Sequence, residues 1–149
     1  MKKVCILIML LACLAGCSQK AVDLDPQTAA KTLSDSSTGD SPLSKLDLDA
    51  ALSLYGLTSE EVADASLYIG NSGTVDEVSV WKAVSDSAAN TIEDRIRDRI
   101  ATQKDVYADY RPDEIPKLNN AVVARRGQFV ILFIDGDWKA AQKAVDSLF

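Results

Sequence analysis

Phe129-Val130-Ile131-Leu132-Phe133-Ile134 decides the fold, because it is apolar at every position. A strand with one wet face alternates apolar and polar side chains. A run without alternation marks a strand covered on both faces or lying in the middle of its sheet. Around it, Ala121 to Arg125 and Gln128 to Ile134 read as two strands joined at Arg126-Gly127, where glycine supplies the positive φ that a tight hairpin requires. Downstream, Asp137 is placed to cap a last helix whose Trp138, Ala141, Val145 and Leu148 keep helical spacing.

Toward the N terminus, a loop containing Pro112 and Pro116 precedes that strand pair, and before it comes the longest predicted helix, from Ser85 or Asp86 to Tyr110. Ile92, Ile96, Ile100, Gln103, Tyr107 and Tyr110 recur at steps of three and four and form one stripe, while Glu93 and Arg97 can pair on the wet face. Ahead of the helix, Ala65 to Ile69 and Asp76 to Val84 read as two more strands around the turn-prone Asn71-Ser72-Gly73. In the second, Val78 and Val80 alternate against Glu77, Ser79 and Trp81, and the pattern leaves open which face is buried. Asp49 can cap a short helix through Ala50, Ala51, Leu52 and Tyr55, stopped at Gly56, and Ser59 to Val62 suggests another helical turn. The order is helix, two strands, long helix, two strands, helix. It predicts an α+β fold: a four-stranded, mainly antiparallel sheet of two strand pairs, packed with a long central helix and a C-terminal helix. The domain is expected over residues 43–149.

Residues 17–42 read as a flexible tether. Ten of the twelve residues from Lys31 to Pro42 are Ser, Thr, Asp, Gly or Pro, too polar to repay the entropy of ordering. A short helix can interrupt it, with Asp25 as cap, Pro26 at the first helical position and Leu33 near its end. Residues 1–16 have the form of a signal peptide: Lys2 and Lys3, then an apolar run from Val4 to Leu14. That run is well short of the roughly 20 apolar residues a membrane span needs. It ends in Leu14-Ala15-Gly16-Cys17, the order of a bacterial lipobox, in which Cys17 receives a diacylglyceryl group and becomes the first mature residue. Two acyl chains make a durable membrane anchor.

Removal of residues 1–16 takes Cys5 and Cys13 away and leaves the Cys17 sulfur occupied by lipid. With no histidine in the chain, the usual Cys-His and Ser-His-Asp nucleophile systems and Cys/His zinc sites are excluded. The formal charge falls from −6 to −8, 14 basic against 22 acidic residues once Lys2 and Lys3 are gone. Nucleic acid and anionic lipid surfaces are therefore poor partners.

Leu54-Tyr55-Gly56-Leu57, Asp76-Glu77-Val78-Ser79-Val80-Trp81-Lys82-Ala83, and Asn120-Ala121-Val122-Val123 followed by Gly127-Gln128-Phe129-Val130-Ile131-Leu132 together resemble domain-of-unknown-function family 4358, small lipoproteins found mainly in Gram-positive bacteria. The resemblance implies a lipid-anchored protein on the extracytoplasmic face of the cell membrane. It carries no catalytic residues with it.

Among candidate sites, Asp135-Gly136-Asp137 offers too few oxygen ligands for calcium and suits a strand-to-helix turn with a cap, and Asp23 and Asp25 are no better as ligands. No metal or cofactor is expected. Glu60, Glu61, Asp113 and Glu114 are the carboxylates a hydrolase would draw on. Tyr107, Tyr110 and Arg111, ahead of Pro112-Asp113-Glu114-Ile115-Pro116, are the candidate partner-binding surface, since tyrosine and arginine are enriched at binding hot spots. The plainer reading has both tyrosines covering the helix end. Arg125 and Arg126 suit a soluble hairpin tip, and Trp81 and Trp138 suit core or sheet-edge positions. The expected function is a non-enzymatic binding or adaptor module for an envelope protein or cell-wall component. The alternatives are a small-molecule-binding accessory receptor of a transport system, or a carboxylate-dependent hydrolase.

Overall fold

The computed structural model describes residues 23–39 and 42–149. Within them lie α1 (Pro26–Asp35), β1 (Ser44–Leu46), α2 (Leu48–Tyr55), β2 (Val62–Ile69), β3 (Glu77–Ala83), α3 (Asp86–Tyr110), a 3₁₀ turn (Pro112–Glu114), α4 (Ile115–Asn119), β4 (Val122–Arg126), β5 (Phe129–Ile134) and α5 (Trp138–Asp146). The five strands form one antiparallel sheet in the order β1-β2-β3-β5-β4. Both expected hairpins are present, β2 with β3 and β4 with β5, and β3 and β5 join them across the middle, with Trp81 opposite Val130. Gly127, at φ +58, turns the second hairpin.

The unbroken run in β5 has its reason in three layers. Val130, Leu132 and Ile134 face a core that also holds Leu67, Trp81, Ile92, Ile96 and Leu118, beneath α2, α3 and α4. Ile131 and Phe133 face a second core with Val78, Val80, Leu33 and Val145, beneath α1 and α5. The ambiguity of β3 resolves in the same way. Trp81 lies on one covered face and the valines on the other, so neither face is wet.

Several expectations need correction. The sheet has five strands, not four. β1 is three residues long, too short to show a period, and earns its place as an edge strand against Leu67–Ile69. The short helix expected inside the tether belongs to the folded unit: Ala29, Ala30 and Leu33 of α1 are buried against the sheet, and Gln27 donates to the Ala65 carbonyl at 2.9 Å. The domain therefore starts ahead of Leu43. Asp47, not Asp49, caps α2 by accepting from the Ala50 amide at 2.9 Å. Ser59 to Glu61 do form a single turn, with the Glu61 and Val62 amides donating to the Thr58 carbonyl, but β2 begins at Val62, ahead of the expected Ala65. The loop expected through Pro112 and Pro116 is helical, because each proline stands at the first or second position of a short helix, where its missing N–H costs nothing. Trp138 is 42% exposed on α5, neither core nor sheet edge. The stripe on α3 is buried at Ile92 and Ile96, half-buried at Ile100, Gln103 and Tyr107, and lost at Tyr110.

Candidate functional site

The end of α3 is held to the loop between β2 and β3 by polar side chains. Tyr107 donates its hydroxyl hydrogen to the Thr74 carbonyl at 3.0 Å. Past Arg111, the 3₁₀ turn drives Glu114 inward, where its carboxylate accepts from the Val75 amide at 3.0 Å and lies 3.1 Å from Lys117 Nζ. The same Nζ donates to Asp76 Oδ2 at 3.0 Å. Asp76 and Glu114 are both buried, so Lys117 offsets two carboxylates that would be costly to bury unpaired. Arg111 faces outward and holds Asp113 from Nε at 3.0 Å and Nη2 at 2.8 Å.

Between these groups opens a cleft of about 260 Å³, lined by Gly70, Thr74, Asp76, Arg111, Glu114 and Lys117 and closed from the other side by Thr38, Gly39 and Gly136. Gly70 is required here. A Cβ at this position would collide with the Thr74 hydroxyl and come within 3.2 Å of the Asp76 carbonyl oxygen.

Burial would lower the Lys117 pKa, but its hydrogen bonds to Asp76 and Glu114 outweigh that and raise it. Hydrogen bonding and charge from Asp113 raise Arg111, and the same hydrogen bond lowers Asp113. Burial, then the Glu114 charge, raises Tyr107. Each of these shifts moves the group further from titrating near neutral pH.

Of the candidate residues, Tyr107 and Tyr110 stand with ring centroids 6.2 Å apart at 76°. Tyr107 covers the helix end, as the plainer reading has it, whereas Tyr110 is 68% exposed, and Arg111 lines the cleft. The four candidate carboxylates do not gather around one cavity: Glu61 accepts from the Thr58 amide at 2.8 Å, Glu60 is exposed, Asp113 points out to Arg111, and Glu114 points in. Asp135 accepts from Ser37 Oγ at 2.7 Å and from the Thr38 and Asp137 amides at 2.8 Å each, while Asp137 caps α5 and Asp25 caps α1. Among the described residues, no group of three or more His, Cys, Asp or Glu side chains could hold a metal ion. Leu14, Ala15, Gly16 and Cys17 lie outside the described residues, and no described helix is long and apolar enough to cross a membrane.

Sequence reasoning missed Thr74, Asp76 and Lys117; Lys117 pairs with Glu114 three residues away, but Asp76 reaches that pair only through the tertiary fold. It also missed a second buried cluster on the same side of the sheet. There Glu77 accepts from the Tyr55 hydroxyl and from Arg99, whose Nη2 lies 2.7 Å away. Two adjacent acids, Asp76-Glu77, at the head of a strand whose first five residues are all buried were the available signal.

No curated protein and no solved structure matches the chain. A family match covers residues 36–135, from the end of α1 through β5, and takes in every strand and the whole corner around Arg111 and Lys117. The chain belongs to the family described as a domain of unknown function, DUF4358.

Proposed function

We propose that this protein is a non-enzymatic binding module, tethered by a diacylglyceryl group on Cys17 to the extracytoplasmic face of the cell membrane, and that it engages an envelope protein through the corner at the end of α3. The observation that carries this reading is Tyr110. Its ring stands 68% exposed, one helical turn from Val106, which is 58% exposed, and next to Arg111. Tyrosine and arginine are among the residue types that dominate protein interfaces when they become buried, and here both stand together at the end of a long helix. The locked ion pairs beside them support binding over proton transfer.

The test is crosslinking of the tagged full-length lipoprotein in its own cells, with Tyr110→Ala alongside and captured proteins identified by mass spectrometry. The expected result is one abundant envelope partner, lost in the variant. An abundant partner retained by Tyr110→Ala moves the surface elsewhere, and turnover of an envelope substrate by the purified protein sinks the non-enzymatic reading. For the anchor, Cys17→Ser is expected to abolish lipid incorporation and to release or mislocalise the protein.

A further inference from the structure

The chain enters the domain at the opposite end of the sheet from Tyr110, and on the opposite face. Asp23, Leu24 and Pro26 line one surface hollow with Ala63, Asp64 and Lys82, at the start of β2 and the end of β3. Leu24 packs into the core beneath α1 and α5, which fixes the entry point on that face. α3 starts at the same end, shortly after β3, but covers the other face. Its 25 residues carry Tyr110 about 37 Å away along the helix. There Tyr107 meets Thr74 in the loop that joins the far ends of β2 and β3. Asp23 and Tyr110 therefore lie across the diagonal of the domain.

A lipid on Cys17 gives that diagonal a direction. Six residues of chain lead from Cys17 to Asp23, and fully extended they reach about 21 Å. Two poses would lay Tyr110 on the bilayer. With the α3 face down, the radius of α3 and two layer spacings of about 10 Å lift the entry point about 25 Å above the headgroups. With the far end down, the chain has to run back along the sheet, about 23 Å for the seven residues of β3 alone. Both poses need more chain than there is. The mature charge of −8, 14 basic against 22 acidic residues, also repels an anionic bilayer and disfavours resting a long flank on it. With α1 and α5 down, α3 stands about 25 Å up, and with the entry end down Tyr110 stands higher still. We infer that the anchor holds the Asp23–Pro26 end toward the membrane and turns the Tyr110 corner outward, so that its partner is a folded extracytoplasmic domain standing about 25 Å or more off the bilayer, and not a membrane-spanning helix. This rests on the reading of Cys17 as lipidated and of Tyr110 as the docking surface, and it names the kind of partner that surface can meet.

The test is energy transfer from the lipoprotein to the bilayer that holds it. Cys5 and Cys13 leave with the signal peptide and the Cys17 sulfur carries the lipid, so an introduced cysteine takes a dye selectively. Asp109→Cys, beside Tyr110, and Gln128→Cys, at the hairpin tip where the Gln128 carbonyl accepts from the Ala83 amide at 2.8 Å, are both at exposed positions. Each lipoprotein, purified from its own membranes, is inserted into preformed phosphatidylcholine–phosphatidylglycerol vesicles with acceptor-labelled headgroups. Transfer from Gln128→Cys is expected to exceed that from Asp109→Cys by about twofold or more, given the length of α3. About ten Gly and Ser residues inserted after Ser18 extend the reach to about 55 Å and are expected to erase most of that difference. In cells, a photocrosslinking residue at Asp109 is expected to capture peptides from a partner's extracytoplasmic domain. Equal or greater transfer from Asp109→Cys, a difference untouched by the insertion, or crosslinks to a membrane-spanning segment overturns the inference. Intact mass of the purified protein tells this failure from failure of the anchor. A chain without the diacylglyceryl group removes both readings, whereas a lipidated chain with equal transfer removes the orientation alone. The comparison of wild type with Tyr110→Ala stands in either case.

Discussion

Arg99 grips Glu77 through Nε at 3.0 Å and Nη2 at 2.7 Å, joining the middle of α3 to the first residue of β3. The carboxylate is 2% exposed and the guanidinium side chain 17%, so the pair sits in the wall of the larger core, with the Arg99 guanidinium 5.2 Å from the centre of the Tyr55 ring. Breaking such a pair leaves one buried charge without its counterpart. Glu77→Gln is expected to lower the unfolding free energy by about 3–5 kcal/mol. Replacing both members, as in Glu77→Leu with Arg99→Met, is expected to recover most of that loss, because neither charge then has to be buried. Urea denaturation of the three proteins decides the matter. A double variant as unstable as Glu77→Gln would show that the pair is not the source of the cost.

Tyr55 gives the same cluster a signature in alkali. Burial, then the negative charge of Glu77, pushes the phenol well above its ordinary pKa of 10.0. A raised folded value means that the contribution to stability is fully present below the unfolded pKa and is lost as pH rises from about 10 toward the folded value. Tyr55→Phe removes the charge-assisted hydrogen bond and is expected to cost about 1.5–3 kcal/mol at pH 7. It also removes the titration, so its deficit relative to wild type should shrink above about pH 10. Unfolding free energies at pH 7 and pH 11 check this, and a constant deficit would contradict it.

How much of this was legible in the sequence depends on whether a signal is local. The β5 run, the glycine of the second hairpin, and the span of α3 from Ser85 or Asp86 to Tyr110 follow from patterns within a few residues, and they agree with the structure. β1 was not legible because three residues carry no period and the strand exists only as a partner of β2. The place of α1 was hidden for a related reason. Leu33 and two alanines look weak inside a polar segment, yet they fit a sheet face that α5 covers incompletely. The end of α3 was found from Tyr107, Tyr110 and Arg111, but the cleft beside them was not. It needs Asp76 and Lys117, 41 positions apart, on one ammonium-to-carboxylate contact.

That placement of α1 is testable. Leu33 is 1% exposed between the helix and the sheet, and Leu33→Ala is expected to cost about 2–5 kcal/mol through lost burial and a residual cavity. Lys31, on the wet side of the same helix, pairs with Asp35 where both side chains are more than half exposed. Lys31→Ala should stay within about 0.5 kcal/mol of wild type. Urea midpoints compare the two directly. If α1 were a detached part of a tether, both substitutions would be silent.

Asp135 provides the acid-side counterpart and bears on the cleft. Its carboxylate joins Ser37 and Thr38, after α1, to the Asp137 amide at the start of α5, and Thr38 and Gly136 are themselves cleft walls. Burial would raise its pKa, but hydrogen bonds from Thr38, Ser37 and the Asp137 amide outweigh burial and lower it below 3.8. A lowered folded value gives stability that is present above the unfolded pKa and lost as pH falls through the folded one. Asp135→Asn keeps the shape and one acceptor oxygen but surrenders the charge and the second acceptor, and is expected to cost about 1–3 kcal/mol at pH 7. The deficit should narrow below about pH 4, where the unfolded wild type takes up its proton before the folded form does. Unfolding free energies at pH 7 and pH 3 measure the narrowing, and hydrogen exchange at the Thr38 amide locates it. If this carboxylate holds the cleft wall, Thr38 exchanges faster in Asp135→Asn at pH 7; unchanged protection there would mean that the wall is held by the packing of α1 alone.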